Sequence, residues 1–443
     1  LLKEELFHLM LQKSLIADIF LEKLLNKIRC EILFIIDGYN KNALKEYFNF
    51  IISLAEQCWL NEYIYFQSDK EINHINKLRQ KIESDQKINE LEVAILGCYT
   101  PLNSSKTITQ KLLDYKSTNS LFNDLISMQI KEPLREKELV KSIESLDEIT
   151  DPVSKKVQEQ YEEHPYPRWR YTDEIYKSHF LLTIKRAIKP NRIDHNDKFD
   201  NPNVLIAGCG TGRHPITTAR YKNANILGVD LSLTSLAYAK RKTEELGFKN
   251  IRYLHADILE LKKLNRKFDI IESVGTLHHM NDPVSGLKVL LDVLEPHGFL
   301  RLGLYSETAR QPIVKAREFI KSKSFKNTSE DIKIFRQKII DEKKDLLLEK
   351  VTYSGDFYST SSIRDLLFHV QEHRFTILEI SKILKDLNVE FLGFDFLQST
   401  IKKEYSKNFP DDKKNISLDN WHQFEIKNPD IFIGMYQFWV RKI

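Results

Sequence analysis

Cysteine is nearly absent: the chain has four in 443 residues, at Cys30, Cys58, Cys98 and Cys209. They form no CxxC pair and match no zinc-ligand spacing, which excludes a disulfide scaffold and a zinc module, and no metal is expected. Reduced thiols point to a cytoplasmic location. Glycine (14) and proline (13) are also scarce, which excludes long low-complexity or linker segments. No run of about 18 apolar residues occurs, so no spanning helix and no membrane partner are expected. The start lacks the basic, apolar and small-residue zones of a signal peptide. Leu1 in place of methionine is consistent with a fragment or a processed product. An excess of one charge is missing too: 67 Lys and Arg stand against 63 Asp and Glu, a net +4. That is little for this length, so nucleic acid is not an expected partner. Pairs such as Lys262-Lys263 and Lys413-Lys414 read as solvated faces.

What is present is an ordinary globular composition, 42% hydrophobic and 29% charged, on a chain too long for one core. Residues 1–150 read as a helical N-terminal domain. Leu6, Leu9 and Met10, then Leu21, Leu24, Leu25 and Ile28, recur at helical spacing, and Ser68 with Glu71 fits a capping box. Further helices are expected at 108–115, 120–130 and 134–147. Residues 151–200 read as a strap or lid, carrying Gln158 to Trp169 with Pro165 and Pro167 stiffening its end. Two readings stay open there: an interdomain strap, or a lid that lays an aromatic, Tyr166 or Trp169, over a bound ligand.

From residue 201 to 310 the pattern changes. Short apolar runs at 204–207, 226–230, 251–255, 268–272 and 299–304 alternate with helical stretches at 213–222, 233–246 and 283–294, which predicts a parallel, doubly wound α/β sheet. Residues 311–375 read as a helical insertion with a loop at 353–362, and 376–443 complete the sheet with strands near 390–396 and 435–440. The stretch 397–432 between those strands is expected to form its own helix or lid.

The chemistry is concentrated at Val204-Leu-Ile-Ala-Gly-Cys-Gly-Thr-Gly-Arg-His214, a strand opening through a glycine turn into a helix. Gly208, Gly210 and Gly212 let backbone approach a ligand, and the helix start offers free amides. Asp230, twenty residues after Gly210, ends the next strand, where a carboxylate accepts ribose hydroxyls. The dinucleotide fingerprint GxGxxG fails, because Arg213 stands at its sixth position.

The AGCGTG turn resembles motif I of class I S-adenosylmethionine (SAM)-dependent methyltransferases. Asp257-Ile258 after the third strand, Glu272 to Met280 with its Leu-His-His, and Leu294-Glu-Pro-His-Gly-Phe299 resemble later segments of that class in the right order. The resemblance implies a Rossmann-like fold with a seven-stranded, mostly parallel sheet, and SAM as cofactor. It implies cofactor contacts at Ala207, Gly208, Cys209, Gly210, Gly212, Asp230, Leu231, Asp257, Ile258, Ser273 and Val274. His278, His279 and Tyr305 are the candidate catalytic residues, although single histidines there are often structural. Tyr166, Trp169, Arg310, Tyr358, Arg364 and His369 are candidate substrate contacts. Arg310 reads either as an anion clamp, as a helix cap or as a partner of Glu307, and His369 with His373 as an i, i+4 pair on a helix. Trp421, Phe424, Tyr436 and Trp439 read as core or lid packing.

Segments 54–63, 160–169, 304–310 and 364–369 resemble a family of bacterial methyltransferases often fused to N-terminal tetratricopeptide (TPR) repeats, although no TPR unit is visible here. That resemblance implies a protein partner for the helical N-terminal domain. The expected activity is methyl transfer to a small-molecule or protein acceptor. The competing readings are a silent SAM-fold scaffold and aminopropyl transfer; the latter lacks its paired acids after strand four. With no Asn/Asp-Pro-Pro-Tyr/Phe after strand four, amino methylation of nucleobases is disfavoured.

Overall fold

A computed structural model describes residues 1–36, 41–193, 199–341, 345–396 and 399–443. The expected strap or lid (151–200), insertion (311–375) and final helical stretch (397–432) therefore each run partly outside the described residues. The chain forms two compact units, each discontinuous in sequence. One comprises Leu1–Glu138, Arg168–Tyr171 and Pro312–Phe368; the other comprises Leu139–Pro167, Thr172–Gln311 and His369–Ile443.

The first unit is helical among its described residues. Its core joins Leu25, Phe50, Leu54 and Leu96 to Ile332, Phe335, Ile363 and Leu367. The Ser68–Glu71 capping box forms as expected, starting the helix Asp69–Ser84. Inside this apolar packing the Arg336 guanidinium forks onto the Glu22 carboxylate. Such a pair survives burial because each charge neutralises the other. Glu62 adopts a left-handed backbone (φ 55°) and caps the helix Thr360–Phe368. Its carboxylate accepts from the Ser361 amide at 2.6 Å, and its carbonyl accepts from the Thr360 hydroxyl at 2.9 Å. The segments 54–63 and 360–368 are thus bound to each other inside one unit.

The second unit holds a single sheet. Its strands are β1 (Glu144–Ser145), β2 (Asn203–Ala207), β3 (Asn225–Asp230), β4 (Ile251–His255), β5 (Phe268–Val274), β6 (Leu294–Leu304), β7 (Val389–Phe394) and β8 (Tyr436–Lys442), in the order β1-β4-β3-β2-β5-β6-β8-β7. The run from β1 to β6 is parallel, and β8 is antiparallel to both β6 and β7. This is the expected Rossmann-like arrangement with eight strands in place of seven. The added one, β1, is a two-residue edge strand with both side chains exposed. It lies where a helix over 134–147 was expected; that helix ends at Val140. β6 starts at Leu294, five residues before the apolar run, with a register irregularity opposite Phe268–Ile270.

Local chemistry sets the helix starts. Asp151-Pro152 and Asp282-Pro283 place a side-chain acceptor before a proline at the first helical turn, where the missing N–H costs nothing. The stretch 399–427 contains the helices Ser399–Asn408 and Leu418–Lys427. Trp421, Phe424 and Tyr436 are buried in the core that includes β7, β8 and these helices, and Trp439 is buried against Phe180, which makes all four core. No helix among the described residues is long and apolar enough to cross a membrane.

Candidate active site at the carboxyl edge of the sheet

The glycine turn leaves β2 with φ of 79°, 50° and 85° at Gly208, Gly210 and Gly212, a region that side-chain-bearing residues avoid. Space is short as well. A Cβ at Gly208 would meet the Thr276 hydroxyl at 2.1 Å, and one at Gly210 would meet the Tyr166 carbonyl at 2.6 Å. The turn is tied to β3 through Asp230, whose carboxylate accepts from the Gly210 amide at 2.7 Å and the Ser232 amide at 3.0 Å. Burial pushes the Asp230 carboxyl above its ordinary range, and the two amides pull it partly back. Asp257 ends the β4 loop. It accepts from the Leu259 amide at 3.0 Å, capping the 3-10 turn Ile258–Leu264, and burial raises it also. Cys209 is buried, which holds its thiol protonated; its place in the turn is structural, not nucleophilic.

These features suit the adenosyl cofactor. Backbone without Cβ at three positions leaves room along the turn, and two acids stand at the ends of β3 and β4. Asp230 and Leu231 would hold the ribose, Asp257 and Ile258 the adenine, and Ala207, Gly208, Cys209, Gly210 and Gly212 with Ser273 and Val274 would line the remainder.

The strap lies across this turn. The Thr211 hydroxyl donates to the Pro167 carbonyl. Glu162, at the end of the helix Pro152–Glu163, accepts from the amides of Leu233 at 2.6 Å and Thr234 at 3.1 Å, so it caps the helix Leu233–Glu245 next to Asp230. The Ser232 hydroxyl donates to the Tyr161 carbonyl at 3.1 Å. Glu162 and Tyr161 carried no assigned role in the sequence reading. An acid three residues before Pro165 is the signal that marks them in retrospect. Replacing Glu162 by alanine removes a charged cap worth about 1 kcal/mol. SAM affinity is expected to fall about fivefold, with faster proteolysis at 161–167; unchanged affinity and cleavage would detach the strap from the cofactor turn.

Beyond β5, the 3-10 turn Leu277–His279 presents the two histidines. His278 stacks on Tyr305 at 3.8 Å and His279 on His369 at 3.6 Å between ring centroids; Tyr161 lies 5.8 Å from His369. His278 is fully buried. Burial, reinforced by the nearby His279, Arg310 and His369, holds it well below its ordinary range, so it is neutral. His279 Nδ1 lies 2.7 Å from the Gln371 carbonyl.

The segment 371–375 zips along the end of β6: the His373 amide donates to the His278 carbonyl at 2.7 Å, and the Phe375 amide to the Tyr305 carbonyl at 2.9 Å. This irregular segment corrects the expected helical His369–His373 pair. The helix ends at Phe368, because the His373 and Phe375 amides beyond it donate to the 278 and 305 carbonyls, and the Phe375 carbonyl accepts from the Glu307 amide. It also decides against one of the open readings of Arg310, a pair with Glu307. Arg310 bonds Glu372 at 2.6 Å, both side chains buried, and lies 3.7 Å over the Tyr305 ring, while Glu307 pairs with Arg374 at 2.9 Å. Trp169, Tyr358 and Arg364 belong to the helical unit. There Trp169 is buried, the Tyr358 hydroxyl donates to the Thr352 carbonyl at 3.0 Å, and Arg364 reaches the Ser329 hydroxyl at 3.5 Å.

A glycine turn, an acid after each of the next two strands and a parallel sheet define a class I methyltransferase core, and the family model described as "Methyltransferase domain" matches residues 204–298. The cofactor of this core is S-adenosylmethionine. Among curated relatives, the uncharacterized protein syc1184_c of Synechococcus sp. is 30% identical over 186 residues, covering 39% of this chain and 42% of that protein. The uncharacterized protein RP028 of Rickettsia prowazekii is 30% identical over 176 residues, covering 39% of this chain and 68% of RP028. The chain belongs to the same protein family as RP028. Among solved structures, PKMT2 from Rickettsia typhi in complex with AdoHcy is 17% identical, covering 61% of this chain and 54% of that one, with a TM-score of 0.43.

Proposed function

We propose that the chain is an active enzyme that moves the methyl group of SAM to a small-molecule or protein acceptor whose nucleophile must lose a proton. SAM supplies an activated methyl on a sulfonium; the chain's own work is to hold the acceptor in line, exclude water and take the proton. The observation that carries this reading is the hydrogen bond from His279 Nδ1 to the Gln371 carbonyl. A carbonyl only accepts, so Nδ1 carries the hydrogen, and in the neutral ring Nε2 keeps its lone pair. That nitrogen is the proposed proton acceptor. His278 and Tyr305, edge-on to the His279 ring at 4.3 and 5.9 Å between centroids, and His369, stacked on it, position the ring. Arg310 spends its charge on Glu372, so it supports Tyr305 more than it offers a clamp for a substrate anion. Tyr166 and His369 remain the proposed acceptor contacts; Trp169, Tyr358 and Arg364 belong to the helical unit and take no part in this proposed site. The resemblance of segments 54–63, 160–169, 304–310 and 364–369 to TPR-linked bacterial methyltransferases supports a proposed partner-binding role for the helical unit, and the proposed location is the cytoplasm.

The test begins with calorimetric titration by SAM and S-adenosylhomocysteine, followed by a search of cell extracts for a labelled acceptor. With that acceptor, His279→Ala is expected to lower turnover by at least about a hundredfold, the usual size of a lost general base, while SAM affinity stays within about threefold. A wild-type rate would remove His279 from the chemistry. SAM binding by a wild-type chain that labels nothing would favour the scaffold reading.

A further inference from the structure

Away from the cofactor turn, the second unit has a groove of about 720 Å³ at the β7 edge of the sheet. Because β6 and β7 both pair antiparallel with β8, they run the same way. The groove, bordered by Phe396 just past β7, therefore opens on the sheet edge that carries the carboxyl ends of the parallel strands. Its lining includes Lys185, Arg186, Lys189, Arg192, Lys402 and Lys403, and no acid among the described residues. Lys185 and Arg186 come from the helix Phe180–Ala187, Lys189 and Arg192 from the turn after it, and Lys402 and Lys403 from the helix Ser399–Asn408. Arg186, Lys189, Arg192 and Lys403 are exposed. The nearest carboxylate acting on Lys402 is Asp395, and it is held by Arg301 at 2.9 Å. These six side chains carry six formal positive charges against a net +4 for the whole chain, so the groove is a local concentration of charge and not a sample of the average surface.

We infer that this groove is a docking site for an acidic polypeptide segment. The arrangement of the cations selects among anions. A single phosphate is held by converging, preorganised donors. Among the described residues only Lys402 is tied inward, its ammonium donating to the Ala187 carbonyl, and the others stand along the groove on flexible stems. That spacing matches carboxylates distributed along an extended chain. Single-stranded nucleic acid is held on successive aromatic platforms, and among the described residues one aromatic, Phe396, lines this groove. Burial holds Lys402 down to about 8; an anion seated beside it offsets that cost.

The experiment is fluorescence anisotropy with a labelled glutamate homopeptide at low salt, on the full chain and in the absence of SAM. Wild type is expected to bind, and the triple variant K189E/R192E/K403E to bind at least about tenfold more weakly, with affinity falling as salt rises. The neutral variant K189Q/R192Q/K403Q, gentler on the fold, is expected to lie between them. K131E/K137E/K141E removes equal charge from exposed positions elsewhere and is expected to stay within about twofold of wild type. No binding by wild type, or equal losses in both charge-reversed variants, would overturn the assignment. Tighter binding of single-stranded DNA or of phosphatidylserine vesicles than of the peptide would overturn it too.

Discussion

Asp230→Ala is expected to abolish measurable SAM binding, a loss of at least about a hundredfold, while the melting temperature moves by no more than a few degrees. The carboxylate holds the Gly210 and Ser232 amides, so it shapes the glycine turn and offers its remaining acceptor capacity to the ribose. Each hydrogen bond to a charged group is worth about 1.5–3 kcal/mol, and two ribose hydroxyls therefore account for the hundredfold. The fold is spared because the turn is held elsewhere as well: the amides of Gly208 and Cys209 both donate to the Val229 carbonyl. Asp230→Asn keeps the shape, reverses one acceptor into a donor and is expected to lose most of the affinity too. The pH dependence has a definite sign. Binding requires the ionised form, so affinity is present above the Asp230 pKa and lost as pH falls through it. Because burial raises that pKa, the loss on acidification begins above the ordinary aspartate value of about 3.9. Calorimetry across the acid range checks both points. Unchanged affinity in a folded Asp230→Ala chain would sink the cofactor assignment.

Much of the second unit was legible in the sequence because its signals are local. A buried parallel strand reads as a short apolar run, and β2 through β5 lie where the runs are. Positive φ at alternate glycines and an acid at the end of the next strand follow from the same local grammar. What escaped depends on partners far away in sequence. β1 has two exposed residues and no apolar pattern; its pairing with β4 alone makes it a strand. The helix ending at Phe368 carries no glycine or proline stop. It ends because the amides of His373 and Phe375 donate to the carbonyls of residues 278 and 305, and the Phe375 carbonyl accepts from the Glu307 amide, about seventy to ninety-five positions away. The Arg310–Glu372 pair spans 62 residues, and Glu307, three positions from Arg310, was the natural but mistaken partner. Glu162 was visible within a quoted motif, yet its role appears only once two distant amides are seen to meet it.

Glu272 supplies the largest expected effect on stability. It is fully buried in the middle of the sheet, on β5 between β2 and β6. Its carboxylate accepts from the Tyr221 hydroxyl at 2.8 Å, meets His214 Nε2 at 2.8 Å and Arg301 at 3.2 Å. Burial alone would push this acid up. The hydrogen bond and charge of His214, then Arg301 and Arg220, more than reverse that and hold it well below the ordinary range. Glu272→Ala leaves Arg301 buried with Asp395 as its remaining carboxylate, and removing one partner of a buried pair costs about 3–5 kcal/mol. For a unit of this size that is a fall in melting temperature of roughly 10 °C. Glu272→Gln can keep its amide oxygen accepting from Arg301 while its NH2 donates to the Tyr221 hydroxyl oxygen, without the charge, and is expected to lose less. Since the folded pKa is depressed, this acid stabilises the fold above its unfolded value of about 4.3, and that contribution disappears as pH falls toward the folded pKa. Wild type should therefore lose stability on acidification below about pH 4, and Glu272→Gln should show a shallower slope there. SAM affinity of the folded glutamine variant is expected to stay within a few-fold of wild type, because the Glu272 side chain faces Tyr221 and Arg301 within the sheet while Ser273 and Val274 end the strand at the cofactor turn. A melting temperature unchanged in Glu272→Ala would mean that the histidine and arginine neighbours find compensation without it, and that the network is not what holds β2, β5 and β6 together.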